Sequence, residues 1–273
     1  SLEAIESAWV EHRASGLVLR YHLPNAWVEA LRQHGPVVQG ASYDFNLGVD
    51  AVFVNELRAA GMVMQHLRRH QHERILWLGL NDIGCPGDLS LTGVPEDVAD
   101  YRMASIHGPR YAAWAYMASA DPGRQRLVVL DRDWAHDGLA DVINRELPAL
   151  LQDDVRPSAM VVPTDPMGAM LLQCLKYLGV TVPRDMSLVC YGGGDRCRQT
   201  EPPLTAVELP MYTIGRVIPE LVERRLADPG AVPMTIQVEA PFSQGGSVAL
   251  PHCSATISNS KRRTRMEQKV QLY

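Results

Sequence analysis

The hydrophobic and polar positions of this chain follow two different periods. Short, strongly apolar runs of strand length are separated by longer segments in which apolar residues recur every three or four positions. Continuous apolar runs are typical of strands buried on both faces, and helical segments between them are typical of crossovers in a parallel sheet. The predicted strands are 16–20, 74–80, 126–130, 159–162 and 187–191.

One predicted helix spans residues 55–70. Leu57, Ala60, Met64 and Leu67 recur there at spacings of three and four, which places them in one apolar stripe. This spacing predicts an amphipathic helix with one buried face.

A second helix has the clearest boundaries. It begins at Thr164 and Asp165, where a capping side chain precedes Pro166 at the first helical position. It ends at Gly179, a residue type that readily adopts the left-handed conformation after a helix. A last long helix is predicted over about residues 212–227.

Composition and charge narrow the function classes. A chain of 273 residues with 46% hydrophobic content can bury one large α/β core or two modest lobes. Its formal net charge of -5 argues against a broad basic surface for nucleic acid. If DNA is a partner, another segment is expected to hold it.

The cysteines and the hydropathy indicate a compartment. The five cysteines show no CxxC pair, which fits a reducing cytoplasm. No apolar run approaches the roughly 18 residues that a membrane span needs, and no secretion leader is recognisable. We expect a cytoplasmic protein without a membrane partner.

Several motifs occur together in order. The segments RPSAMVVPTD (156–165) and LGVTVPRDMSLVCYG (178–192) resemble the pattern RPTAIFAAND and GLRVPEDVSVVGFDD of the lactose/galactose-repressor (LacI/GalR) family. PPLTAV (202–207) and the following PMYTIG are similar to that family's PPLTTV and P...ELG. Residues 55–75 and GPRYAAW (108–114) are similar to its DN...GG...HL...GHRRI and ERLAGF. The matches cover most of residues 16–250.

The resemblance implies an α/β fold of two Rossmann-like lobes (periplasmic-binding-protein-like I), with parallel sheets and a ligand cleft between them. Residues 1–70 plus 205–237 are expected to form the N-terminal lobe. Residues 71–204 plus 238–252 are expected to form the C-terminal lobe, and residues 253–273 a polar tail.

The chain enters the family pattern late, because residues 2–16 already resemble the second helix of that pattern. The helix-turn-helix and the first strand, helix and second strand have no counterpart. Since a central strand cannot be lost without unpaired backbone groups, we expect that residues upstream of Ser1 exist in the native protein, or that something else fills the gap.

The resemblance also implies an effector site. Arg110 aligns with an effector-contacting Arg of the family, where a guanidinium can hold a carboxylate or two hydroxyls; a surface Arg is the alternative. Trp134 lies near a position that stacks an aromatic ring on the ligand, or is a core residue. Thr164 stands where the family has a sugar-binding Asn, and Gly192-Gly193 stand where it has an Asp pair. A standard sugar ligand is therefore in question.

Three other candidate effector-binding residues can also be explained by a purely structural role. Asp165 either caps its own helix, which is the preferred interpretation, or accepts a hydrogen bond from a ligand hydroxyl; Thr164 beside it is the preferred ligand contact. Asp195 follows the glycine run and either replaces the lost carboxylate or is an ordinary turn residue. Arg58 either points into the cleft or is a surface charge.

Three further features concern other kinds of chemistry: phosphate binding, metal binding and hydrolysis. The run from Gly192 to Gly194 lacks the spacing of a phosphate loop, so a ligand-side loop is preferred. His66, His70 and His72 have no further ligand at suitable spacing, so no metal site is predicted. No hydrolase elbow or zinc-protease motif is present, and neither catalysis nor a cofactor is expected.

The predicted function is allosteric. A small polar effector, a sugar or a related molecule, would bind between the lobes of a homodimer and control operator DNA binding by an upstream helix-turn-helix. One alternative is a transport or chemotaxis binding protein of the same architecture. The other is an enzyme on a nucleotide-binding α/β fold, against which the missing glycine fingerprint counts.

Overall fold

A computed structural model of the chain describes residues 1–20, 23, 25–40, 48–81, 108–121, 123–131, 138–152 and 156–251. The strands within this part are β1 (Leu17–Leu19), β2 (Val37–Gly40), β3 (Asp50–Val54), β4 (Ile75–Asn81), β5 (Gln125–Asp131), β6 (Ala159–Val162), β7 (Ser187–Gly192), β8 (Thr205–Glu208), β9 (Thr235–Val238) and β10 (Phe242–Ser243). The helices are α1 (Leu2–Glu11), α2 (Asn25–Leu31), α3 (Glu56–Arg69), α4 (Gly108–Ser119), α5 (Leu139–Gln152), α6 (Asp165–Tyr177), α7 (Asp195–Arg198) and α8 (Met211–Ala227).

The smaller of two sheets has the strand order β1-β2-β3-β9, and its neighbouring strands are parallel. Every residue of β2 and β3 is buried. Helix α8 packs across these two strands. Gly40 allows the close approach, because a Cβ at this position would lie 2.7 Å from Cδ1 of Ile218.

A buried carboxylate also holds α8 to this sheet. Asp50, at the start of β3, is fully buried. Its carboxylate accepts hydrogen bonds from Nη1 of Arg224 at 3.0 Å, Nε of Arg225 at 2.8 Å and the backbone N–H of Met234 at 2.7 Å. Because a buried charge is tolerated only when it is paired and hydrogen-bonded, these contacts fix the end of α8 against β3.

The larger sheet has the order β10-β8-β7-β6-β4-β5, and all its pairs are parallel except the one between β10 and β8. From β4 the chain passes to β5 on one side and then crosses back to β6 on the other. This reversal opens a crevice beyond the carboxyl ends of the strands on either side of it. Here the crevice lies beyond β4 and β6.

Both faces of the larger sheet are covered. Leu76 and Leu78 of β4 belong to a buried core with side chains of α5 and α6. Ile75 and Trp77 face the opposite way and share a second core with side chains of α3 and α4. This arrangement explains why the strands are continuous apolar runs.

The second core continues into the smaller sheet. Val52 and Val54 of β3 belong to the same buried cluster as Trp77 and Val161 of the larger sheet. The two sheets are therefore joined by apolar contacts as well as by the chain crossings.

Three crossings join the sheets, and two of them differ from the predicted division. Helix α3 follows Asn55 directly and packs against α4, on the larger sheet, so the first crossing lies near residue 55 rather than 70. Strand β8 pairs with β7, so the second crossing follows Glu208 rather than residue 204. The third lies at Glu239, between β9 and β10. Helical periodicity identifies a buried face, but it does not say which sheet that face covers.

The predicted strands are confirmed, and one predicted buried position in α3 is wrong. Each predicted strand is present within one residue of its predicted ends. In α3, Ala60, Met64 and Leu67 are buried as predicted, whereas Leu57 is 48% exposed and the prediction of its burial is wrong. The polar tail, 253–273, lies outside the described residues. None of the described helices combines the length and apolar character that a membrane crossing requires.

Candidate functional site

Arg110 lies in the first turn of α4, and its side chain is buried. Its Nε donates to Oε1 of Glu56 at 2.9 Å, and its Nη1 donates to the carbonyl oxygen of Pro163 at 2.8 Å. Its Cζ lies 5.3 Å from the centroid of the Tyr191 ring. Because Pro163 directly follows β6, the guanidinium lies at the crevice of the larger sheet. The surface interpretation of Arg110 is therefore wrong.

Glu56 is the first residue of α3, immediately after the crossing at Asn55. Burial raises the pKa of its carboxyl, and the charge and hydrogen bond of Arg110 oppose this rise. Arg110 donates to Oε1 of Glu56, whereas Oε2 of Glu56 is buried and has no hydrogen-bond partner among the described residues. Within this part of the chain, one carboxylate oxygen of the ion pair is therefore available to accept a hydrogen bond.

Aromatic side chains pack beside the ion pair. Trp77 stacks on Trp114 with ring centroids 5.6 Å apart and meets Tyr191 edge-on at 5.8 Å. The Tyr191 hydroxyl and the Trp114 indole N–H are buried without a partner in the described part of the chain. Burial, and then the charge of Glu56, raise the pKa of Tyr191, so its hydroxyl stays protonated and able to donate. Such unpartnered groups are uncommon in folded proteins.

The start of α6 corrects one prediction. Thr164 is the N-cap, and its hydroxyl oxygen accepts a hydrogen bond from the N–H of Met167 at 3.3 Å. Asp165 is the first helical residue and Pro166 the second, so the predicted capping role of Asp165 is wrong. Since Thr164 caps the helix, the Asp165 side chain is available for other contacts.

The glycine run after β7 packs against two acidic side chains. Gly192 has a φ of 123° and Gly193 a φ of 64°, conformations that favour glycine. A Cβ at Gly192 would lie 2.9 Å from Cβ of Asp165, and a Cβ at Gly193 would collide with Glu208. Gly194 then begins α7. The close approach of Asp165 and Glu208 therefore requires glycine at both positions.

Asp195 lies at the start of α7, beside the glycine run. Its carboxylate is 83% exposed and accepts a hydrogen bond from Nη2 of Arg198 at 2.9 Å. Nη1 of Arg198 donates to the carbonyl oxygen of Gly193 at 3.0 Å. Asp195 thus positions Arg198, which in turn hydrogen-bonds to the glycine run. A direct ligand contact by Asp195 remains a prediction.

Arg58 lies apart from the buried group around Arg110. Arg58 forms an ion pair with Glu239 at the third crossing, and both side chains are largely exposed, at 65% and 58%. This agrees with the surface interpretation of Arg58. Trp134 lies outside the described residues.

The histidines of the predicted α3 region have structural contacts. Nε2 of His72 donates to the carbonyl oxygen of Ala249 at 2.8 Å, and its Nδ1 lies within hydrogen-bond distance of the Ser158 hydroxyl, at 2.9 Å. The rings of His66 and His70 pack against each other. Among the residues that the structure describes, no group of three His, Cys, Asp or Glu side chains could hold a metal ion.

The structure therefore brings four predicted residues to the same crevice edge: Arg110, Thr164, Asp165 and Gly192. Sequence reasoning missed Glu56 and Tyr191. Glu56 follows an N-capping Asn, where an acidic residue is explained by the helix dipole, and Tyr191 ends an apolar strand. Neither position carries a local signal that sets it apart from structural residues.

The fold and this site define a class of protein: a two-sheet α/β core with buried polar side chains at the carboxyl ends of its parallel strands. Residues 64–248 match the family model described as "Periplasmic binding protein-like domain". The chain belongs to this family.

Curated relatives are regulators by name. The chain is 28% identical over 197 residues to the "Probable opine utilization operon repressor" of Rhizobium rhizogenes, covering 72% of this chain and 91% of that protein. It is 24% identical over 189 residues to "Catabolite control protein A" of Priestia megaterium, covering 69% of this chain and 50% of that protein. The chain thus spans about half the length of the latter relative.

Solved structures share the fold. A dimeric Lac repressor with an 11-residue C-terminal deletion matches with a TM-score of 0.68 at 18% identity, covering 92% of this chain and 85% of that one. A LacI family regulator from Enterococcus faecalis V583 with bound ribose matches with a TM-score of 0.66 at 16% identity, covering 87% and 78%. The predicted resemblance to the LacI/GalR effector-binding core is confirmed.

Proposed function

We propose that this chain is the effector-sensing core of a LacI/GalR-type transcription regulator, with the effector bound at the crevice beside Arg110. One observation carries the proposal. A buried guanidinium lies at the switch point of a doubly wound sheet, among buried polar groups that have no hydrogen-bond partner within the described part of the chain. The repressor names of the curated relatives support the regulatory role.

The unpartnered groups favour a small hydroxylated molecule. Among the residues that the structure describes beside Arg110, they comprise two donors, the Tyr191 hydroxyl and the Trp114 indole N–H, and one acceptor, Oε2 of Glu56. A hydroxyl both donates and accepts, so a sugar or polyol satisfies such a mixed set. Since Glu56 already neutralises Arg110, the site does not call for a charged effector.

In this proposal the effector binds next to a point where the chain crosses between the two sheets. Glu56 directly follows the crossing at Asn55, so a molecule bound to Glu56 and Arg110 contacts the point where the chain passes between the sheets. A ligand shifts the arrangement of two lobes only by its difference in affinity for the two arrangements. In this proposal the protein is a cytoplasmic homodimer, and a helix-turn-helix outside the given residues binds a two-fold operator.

A thermal-shift screen against sugars, sugar acids, nucleosides and amino acids tests the site. A ligand that binds only the folded state stabilises it by about 2.7 kcal/mol at 100 times its Kd, so the melting temperature rises with ligand concentration. We expect Tyr191→Phe and Arg110→Gln to reduce the shift. Arg184→Gln, the same change at an exposed arginine, should leave it unchanged. A full shift in both site variants would reject the proposed crevice.

Two further outcomes separate this function from its rivals. Ligand binding without ligand-dependent operator binding by the natural protein would favour a transport or chemotaxis binding protein. Conversion of the bound compound into a product, followed by mass spectrometry, would favour an α/β enzyme.

A further inference from the structure

Two buried cysteines meet at the base of the glycine run. Sγ of Cys190, in β7, lies 3.1 Å from Sγ of Cys197, in α7. Both residues are almost fully buried. Since a disulfide has an S–S length of about 2.05 Å, the two sulfur atoms need to approach by only about 1 Å to form a bond.

The surroundings leave space for the pair. Gly168 of α6 packs directly on Cys190, because a Cβ at this glycine would lie 2.9 Å from the Cβ of Cys190 and 3.5 Å from its Sγ. A larger residue would press on the thiol. Cys174, also in α6, is a free buried thiol of the same core and provides a matched comparison.

We propose that Cys190 and Cys197 are a redox-modification site, in which a peroxide converts the two thiols into a reversible disulfide. The Cys197 thiolate attacks one peroxide oxygen, breaks the O–O bond and becomes a sulfenic acid, and the leaving hydroxide takes up a proton to form water. The Cys190 sulfur then attacks the Cys197 sulfur, the S–O bond breaks, and the departing hydroxide forms a second water with the Cys190 proton. The thiols lose two electrons, and one hydrogen peroxide is reduced to two waters.

The order of the two steps follows from the environment of each thiol. The hydrogen bond between the thiols lowers the pKa of Cys197, whereas this bond and burial raise the pKa of Cys190. The thiolate is the reactive form, so Cys197 reacts first. Cys197 lies on a helix of one turn, 195–198, whose other residues are exposed. Local opening of this single turn suffices to admit the oxidant.

The disulfide constrains the glycine run. It links the end of β7 to α7 across Gly192, Gly193 and Gly194. Arg198, next to Cys197, donates to the carbonyl oxygen of Gly193. Oxidation therefore restrains the loop that packs against Asp165. A consequence for effector binding rests on the proposed function, but the disulfide itself does not.

Peptide mapping tests the bond directly. Trypsin cleaves after Arg184, Arg196 and Arg198, so the two cysteines fall in separate peptides, 185–196 and 197–198. The protein is treated with hydrogen peroxide, alkylated with iodoacetamide under denaturing conditions and digested without reductant. We expect a linked pair of these two peptides, which dithiothreitol separates again because a disulfide is reversible and a sulfinic acid is not.

Single cysteine substitutions identify which two thiols form the disulfide. Cys174→Ser should keep the linked peptides, whereas Cys190→Ser and Cys197→Ser should abolish them. The digest of the unaltered protein decides the proposal by itself, so the result does not depend on whether each variant folds. Both thiols fully alkylated after peroxide treatment, or linkage of either cysteine to another cysteine, would overturn the assignment.

Limited proteolysis of the native protein tests the constraint. Cleavage after Arg196 requires the turn 195–198 to open, so it should be several-fold slower in the oxidised protein than in the reduced one. Equal rates would show that the bond does not restrain the loop. Neither measurement uses an effector, so a failure here is distinguishable from a failure of the proposed function.

Discussion

Replacing Arg110 by Ala tests the buried ion pair at the crevice. The variant leaves Glu56 buried without a cation and the carbonyl oxygen of Pro163 without its donor. Removing one partner of a buried ion pair costs about 3–5 kcal/mol, because the other charge stays in the interior. We expect the free energy of unfolding at pH 7 to fall by about that amount. For a chain of this size the loss corresponds to roughly 10 °C in Tm.

The cost should depend on pH with a defined sign. Burial raises the pKa of Glu56 in the folded protein above the ordinary value of 4.5. The stability linked to this group is therefore fully present below pH 4.5 and is lost as the pH rises through the folded pKa. Without Arg110 the folded pKa rises further. The destabilisation of Arg110→Ala should accordingly be smallest near pH 4.5 and grow towards neutral pH.

A double-mutant cycle isolates the pair. Glu56→Gln removes the charge and keeps the shape, so the variant that combines Glu56→Gln with Arg110→Ala should be more stable than Arg110→Ala alone by about 2 kcal/mol, within the range for directly coupled residues. Urea unfolding followed by tryptophan fluorescence from pH 4.5 to 8 measures all four proteins. Additive effects, or a cost of Arg110→Ala that is equal at every pH, would refute the reasoning.

Two other predictions concern stability. Asp50→Ala should lower the free energy of unfolding by about 3–5 kcal/mol in urea titrations, because Arg224 and Arg225 lose a buried counter-ion; a loss below about 1 kcal/mol, the value for exposed pairs, would contradict the buried network. Burial lowers the pKa of His72 below 6.5, so its contribution is fully present above pH 6.5 and is lost as the pH falls towards the folded pKa. His72→Gln should flatten this acid-side decline in Tm, and an unchanged slope would contradict it.

The fold was largely predictable because its strands are distinctive. β6 and β7 are short apolar runs covered on both faces. Such continuous apolar runs are typical of strands inside a parallel sheet, because that position buries both faces. The side of the molecule to which α3 belongs was not predictable. Its apolar stripe fits any sheet, and the choice of the larger sheet depends on contacts with α4 from a distant part of the chain.

The site was predictable only where the family resemblance reached it. Arg110 was found through its alignment, since a lone arginine in a helix carries no chemical signal. Glu56 was missed because it lies 54 residues away in sequence and meets Arg110 only after both helices have packed. The capping role was assigned to Asp165 instead of Thr164 because either side chain can cap a helix, and the backbone conformation at residue 164 decides between them. A ligand contact by either residue stays a prediction.

Whether Glu56→Gln weakens or strengthens effector binding shows whether the effector is neutral or anionic. If the effector is a neutral hydroxylated molecule, one of its hydroxyls donates to Oε2 of Glu56, an acceptor that has no partner among the described residues. Glu56→Gln then removes a hydrogen bond to a charged group, which contributes about 1.5–3 kcal/mol, and affinity should fall roughly 10- to 100-fold. If the effector is an anion, it competes with the Glu56 carboxylate for Arg110, and the same variant should bind it more tightly. Isothermal titration of the compound found in the screen, with the unaltered protein and Glu56→Gln, measures the sign. A gain in affinity would reject the neutral ligand proposed here, because it requires Glu56 to act as a competitor rather than as an acceptor.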